Sequence, residues 1–260
     1  MDLRLSGRKA LVTGASSGLG LACARALAAE GVQVVLASRS ADRLERAVTT
    51  MKESADADDA DDADDTVSWI EADVSDPDAA TALVAAATER MGGLDILICN
   101  AGGPPAGTFD STDLAAYEPA LRLNLLSTVA LCTAAVPAMR EQGWGRVVAI
   151  TSITVREPNP RLILSNTARA GVTGFLKTLA REIAADGVTV NSIQPGLHAT
   201  DRLRSVYGDE IDDVMARTPS GRLGDPADFG QVAAFLCSEG AKYITGAAIP
   251  VDGGEAHGLQ

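Results

Sequence analysis

No stretch of this sequence approaches the roughly 18 consecutive apolar residues of a membrane span, and it does not open on a basic, apolar, small-residue leader. A protein that is neither secreted nor membrane-spanning, and that resides in the cytoplasm, is therefore expected. Cysteine is sparse. Cys23, Cys99, Cys132 and Cys237 are scattered, with no CxxC pair and no histidine nearby. That pattern predicts small core residues in a reducing compartment, not metal ligands or disulfides. Lysine is scarcer than arginine, four against 18, and basic charge is outweighed throughout: the formal net charge is −13. A nucleic-acid partner needs a basic face to meet its phosphates, so none is expected.

What is present describes one globular α/β domain. Hydrophobic residues make up 46% and charged residues 22% of 260 residues, enough to bury a full core. Short β-branched runs alternate with longer Ala/Leu-rich amphipathic stretches, the pattern of βαβ units on a parallel sheet. Strands are predicted at 9–13, 33–38, 66–70, 95–99, 146–151, 189–194 and 247–251. Helices are predicted at 19–29, 42–53, 77–90, 114–140, 162–185 and 226–237. Right-handed crossovers place helices on both faces of the sheet and a ligand crevice at the carboxyl ends of the strands. The acidic run DADDADDADD, within residues 55–66, predicts a solvated, mobile loop.

The first predicted strand runs directly into Thr13-Gly14-Ala15-Ser16-Ser17-Gly18-Leu19-Gly20 and a helix. Gly14 permits a tight turn, Gly18 lets the backbone approach a pyrophosphate, and Gly20 allows close helix–strand packing. Free N–H groups at the helix start then face the phosphates. At the end of the second strand, Ser38-Arg39 stands where NAD-selective sites place an acid. A hydroxyl and a guanidinium suit a 2′-phosphate, so NADP(H) is favoured over NAD(H).

With this TGxxxGxG spacing the chain resembles the short-chain dehydrogenase/reductase family from about Ser6 to Gly254. Further matches fall in order: Asp73-Val74, Asn100-Ala101-Gly102, Asn124, Ser152, Pro195-Gly196 with Thr200, Thr245-Gly246, and Val251-Asp252-Gly253-Gly254. The resemblance implies a doubly wound, Rossmann-like seven-stranded parallel sheet. It also implies a homodimer or homotetramer formed through two long helices and the last strand. It further implies adenine contacts from Asp73 and Val74, cofactor contacts from Ser16, Ser17, Leu19 and Asn100 to Gly102, and nicotinamide contacts from Pro195, Gly196 and Thr200. A substrate lid is implied at about 197–218.

The same resemblance implies a serine, a tyrosine 13 residues on and a lysine four beyond that, with an asparagine holding a water relay. Counting from Ser152 reaches Ser165 and Arg169. The tyrosine and lysine are absent. An aliphatic hydroxyl is several units less acidic than a phenol, and arginine keeps its proton. Arg169 retains a positive charge that could still bond the nicotinamide ribose. Replacement proton routes are His198, a water held by Ser152, Ser165 and Asn124, or Arg156, Glu157 and Arg161 acting on a charged substrate. Two functional readings follow. One is an oxidoreductase acting on a small carbonyl or alcohol with an atypical proton-transfer site. The other is a catalytically silent NADP(H)-binding protein that serves as sensor or oligomer partner.

Overall fold

The computed structural model describes residues 2–54 and 66–258; the acidic run lies outside the described residues. Seven strands form one parallel sheet: β1 (Lys9–Thr13), β2 (Gln33–Ser38), β3 (Val67–Glu71), β4 (Ile96–Cys99), β5 (Gly145–Ile150), β6 (Val188–Pro195) and β7 (Ala248–Val251). Their spatial order is β3-β2-β1-β4-β5-β6-β7, with Ala10 of β1 opposite both Val34 and Ile96. The order reverses between β1 and β4, which opens the ligand crevice there. The central strands read as near-continuous apolar runs because both their faces are covered.

On one face lie α1 (Gly18–Ala29), α2 (Ala41–Glu53) and α9 (Pro226–Cys237), packing Leu27, Leu44 and Phe229 onto Val12, Leu36 and Ile98. On the other lie α3 (Pro77–Met91), α5 (Ser127–Glu141) and α6 (Ile163–Ile183), packing Leu83, Leu131 and Val172 onto Leu11, Leu97 and Val147. The alternation of side chains along each strand divides the core in two in this way. All four cysteines are free and buried, as their settings predicted.

The stretch expected as one helix over 114–140 is not uniform. A 3-10 turn at Leu114–Ala116 leads into α4 (Tyr117–Leu121), and a π turn at Arg122–Leu126 then joins α4 to α5. A π turn carries one extra residue per turn, which amphipathic periodicity does not register. Here it contains Asn124, whose side chain is 4% exposed and donates to the Gly102 carbonyl at 3.0 Å. The span 114–141 is long and apolar enough to cross a membrane by those criteria alone, but its Leu131, Cys132 and Met139 are core residues of this fold. Two short helices, α7 (Asp201–Tyr207) and α8 (Ile211–Arg217), occupy the expected lid segment. Thr200 caps α7 by accepting from the Leu203 amide, a local signal already present in Thr200-Asp201.

Candidate active site

Two cavities run along the carboxyl edge of the sheet and share Gly14, Ser17 and Asn100 to Gly102. The first, about 460 Å³, is lined by Ser16, Ser38, Arg39, Asp73 and Val74. The second, about 580 Å³, is lined by Gly18, Leu19, Ser152, Ser165, Arg169, Pro195, Gly196 and Thr200. Residues spread over 187 positions of sequence thus meet along one trough. Asn124 stands apart, beneath the floor, beside a cavity of about 10 Å³ that also borders Thr13 and Arg169.

The glycine positions fit an extended dinucleotide. Gly14 and Gly18 both have φ of +57°. A Cβ at Gly14 would come within 2.7 Å of the Asn100 amide group, while one at Gly20 would strike the Gly14 carbonyl at 2.4 Å. The loop therefore lies flush against β4, held by Asn100 Nδ2 donating to the Gly14 carbonyl and Thr13 Oγ1 donating to the Asn100 carbonyl. At Gly18 the nearest neighbour of a Cβ would be Thr200, 3.7 Å away, so the open face of the loop is the trough itself.

Ser152 is set as a donor. Its Oγ accepts from the Thr154 amide at 3.1 Å and from the Thr154 hydroxyl at 3.0 Å, which leaves its own proton to point elsewhere. Ser165, 7% exposed, likewise accepts from Arg169 Nε at 3.2 Å and keeps its proton to give. The Arg169 side chain reaches past the position a lysine would take. Nη1 donates to the Ile150 and Thr151 carbonyls at 2.7 and 2.9 Å, and Nη2 to the Ala101 carbonyl at 3.4 Å. Four of its five N–H groups are thus committed to protein acceptors. The ribose contact expected of Arg169 can draw on the fifth alone. Burial, and then the neighbouring Arg202 charge, lower its pKa to about 10, so it remains a cation at neutral pH.

The alternative proton routes fare unevenly. His198 is 5% exposed, its ring stands edge-on to Phe229 at 5.1 Å, and its Nδ1 faces the Gly196 carbonyl at 3.3 Å. Burial lowers its pKa, which favours the neutral ring and makes His198 a poorer source of protons than an exposed histidine. Arg156 is tied to Gln194 and the Ala248 carbonyl, and Arg161 to Glu210. Glu157 clasps the chain terminus: it pairs with His257 Nδ1 at 2.9 Å and accepts from the His257 and Gly258 amides. That partnership holds the Glu157 carboxyl below its ordinary pKa and raises that of His257.

Four further residues line the site: Arg202 and Tyr207, which the sequence placed only within the expected lid, and Arg43 and Glu255, to which it gave no role. Arg43, in the first turn of α2, joins Arg39 at the 460 Å³ cavity. Arg202 lines the larger cavity and donates to the Pro104 carbonyl; among the described residues no carboxylate pairs with it. Tyr207 and Glu255 also line that cavity. Arg202 and Tyr207 arrive on α7 and Glu255 on the turn after β7, and where those elements lie depends on distant contacts.

A family model described as enoyl-(acyl carrier protein) reductase matches residues 14–255. The chain is similar to the 3-oxoacyl-(acyl-carrier-protein) reductase FabG of Vibrio cholerae, 34% identical over 97% of this chain and 98% of that protein. Among solved structures, L-sorbose reductase from Gluconobacter frateurii, complexed with NADPH and L-sorbose, superposes with a TM-score of 0.90. It is 33% identical and covered in full by a fully covered chain. A 7α-hydroxysteroid dehydrogenase complexed with NADH and 7-oxo glycochenodeoxycholic acid gives 0.88 at 31% identity, covering 100% of this chain and 98% of that one.

Proposed function

The chain belongs to the short-chain dehydrogenase/reductase family, and on that premise we propose that it is an NADP(H)-dependent oxidoreductase of a small carbonyl or alcohol, with an atypical proton-transfer site. One observation carries the reading. A single trough joins two guanidinium groups at the adenine end to two donor-set hydroxyls at the other. Gly14, Ser16, Ser17, Gly18 and Leu19 hold the diphosphate in this reading, and Asp73 and Val74 take the adenine. Ser38, Arg39 and Arg43 take the 2′-phosphate. Asn100 to Gly102, with Pro195, Gly196 and Thr200, hold the nicotinamide end. When bound, the nicotinamide gives a hydride to the carbonyl carbon or takes one from the alcohol.

The chain's own task is to hold the reacting oxygen. Ser152 and Ser165 donate to it, and the Arg169 charge favours the negative charge that develops there. The segment 197–218 closes the trough as a lid and excludes water. The protein works as two or four copies in the cytoplasm in this reading, and the exposed Leu126, at the end of the π turn, suits a helix–helix interface.

The test is NADPH oxidation against a panel of aldehydes and ketones. Native turnover is expected. Ser152→Ala is expected to lower kcat/KM about 10-fold to 30-fold with NADPH affinity kept, the loss of one hydrogen bond to a charge-bearing oxygen. Tight NADPH binding without turnover, and activity gained only in Ser165→Tyr/Arg169→Lys, would instead identify a silent binder.

A further inference from the structure

With the tyrosine gone, the two hydroxyls can orient a substrate oxygen but are too weakly acidic to surrender a proton to it. The proton has to come through a relayed water or from a different group of the site. Tyr207, brought into the cavity wall from α7, is the obvious phenol, and Asn159 Nδ2 donates to its Oη at 3.1 Å, which by itself leaves the phenol proton free to give. Burial nevertheless pushes its pKa up, the wrong direction for an acid catalyst. Burial favours the neutral ring of His198, and Glu157 is held ionised by His257.

Glu255 differs from all three. The turn after β7 is pinned by Asp252, which accepts from the Gly254 amide at 3.0 Å and the Ala256 amide at 2.9 Å. The Glu157–His257 clasp fastens the chain just beyond. Between these anchors the Glu255 carboxyl turns into the 580 Å³ cavity. Its Oε2 is buried and has no hydrogen-bond partner. It lies against Gly196, where a Cβ would meet it at 2.7 Å, so only a glycine at 196 leaves room for it. Gly196 is one of the residues assigned above to the nicotinamide end.

We propose that Glu255 is the proton donor that replaces the missing tyrosine, an inference that rests on the reductase reading above. In reduction, the reduced nicotinamide cofactor delivers a hydride, with its electron pair, to the carbonyl carbon. The C=O π bond breaks toward oxygen, and oxygen takes the Glu255 carboxyl proton. The products are the alcohol, the oxidised cofactor and a Glu255 carboxylate, which regains a proton from solvent. Alcohol oxidation runs the same transfers in reverse. The groups facing Glu255 shift its carboxyl, on balance, toward the protonated form. Burial raises its pKa, the Asp252 and Glu157 charges add to that, and the Leu197 amide and His257 pull against it.

The experiment compares native protein with Glu255→Gln. Loss of a positioned acid is expected to lower kcat for reduction about 10²-fold, while NADPH affinity holds within about twofold. Because reduction needs the protonated form, native kcat falls as pH rises through the Glu255 pKa, and Glu255→Gln loses that limb. A carboxyl ¹³C titration of the ligand-free native protein needs neither variant nor turnover. Its expected Glu255 midpoint lies above the ordinary 4.5. A midpoint at or below that value, or native turnover that Glu255→Gln matches within about threefold, overturns the role of Glu255 alone. Tight NADPH binding with no native turnover overturns the reductase reading and this role together.

Discussion

Arg39→Asp combined with Arg43→Ala is expected to lower NADPH affinity relative to NADH by about 10³-fold or more. Arg39 follows β2 directly, and Arg43 stands in the first turn of α2. Both line the 460 Å³ cavity with Ser38 and Asp73. The α2 N-terminus adds a partial positive charge of its own. A 2′-phosphate held there gains charge-assisted hydrogen bonds of about 1.5–3 kcal/mol each. Both residues are exposed, so solvent trims that figure, and about 10³-fold is the discounted expectation. The new carboxylate repels the phosphate and bonds the ribose 2′-OH of NADH instead. Fluorescence titration with both cofactors at low and high salt measures the ratio. In the native protein the NADPH preference should shrink as salt rises. An unchanged ratio in the double variant would place the 2′-phosphate elsewhere. Relatives of this fold are found with either cofactor, so the fold as a whole does not make this decision.

The second large effect concerns stability. Arg169→Met should destabilise the fold by about 3–5 kcal/mol, because the buried Ile150 and Thr151 carbonyls and the Ser165 hydroxyl lose their donor together. At roughly 2–4 °C per kcal/mol for a chain of this size, the thermal midpoint falls by about 10 °C. Ile150 ends β5, and Thr151 leads to Ser152, so the same change should loosen the serine and depress turnover as well. Arg169→Lys is expected to recover only part of the loss. An ammonium is a point charge with three donors, and it cannot span the Ile150, Thr151 and Ala101 carbonyls as a planar fork does. Thermal unfolding by circular dichroism with NADPH titration separates the two effects. A midpoint within about 2 °C of native in Arg169→Met would show that the carbonyls find other partners. The replacement of lysine by arginine is thus a structural substitution, a brace across the ends of β4 and β5, as much as a catalytic one.

How much of this was legible beforehand follows the range of the forces involved. The strands of the sheet and α1, α2, α3 and α9 follow from apolar periodicity and from turn residues, which act over a few positions. The Gly14–Gly20 loop was legible for the same reason, since strand, glycines and helix are contiguous. The departure at Ser165 and Arg169 was legible too, because counting along the chain suffices to find it. The π turn at Arg122–Leu126 was not, because a helical pattern does not register one extra residue.

The sequence by itself therefore determined the sheet, the glycine-rich loop after β1, the Ser38-Arg39 pair at the end of β2 and the loss of the tyrosine. All of these rest on residues near one another in the chain. Only the tertiary structure decided what Arg169 grips, that His198 is sealed against Phe229, and that Glu255 comes to rest beside Gly196. Each of those outcomes depends on which distant carbonyl, ring or backbone a side chain meets once the strand ends converge. Burial and hydrogen bonding there depend on the whole fold, and local pattern carries no record of them.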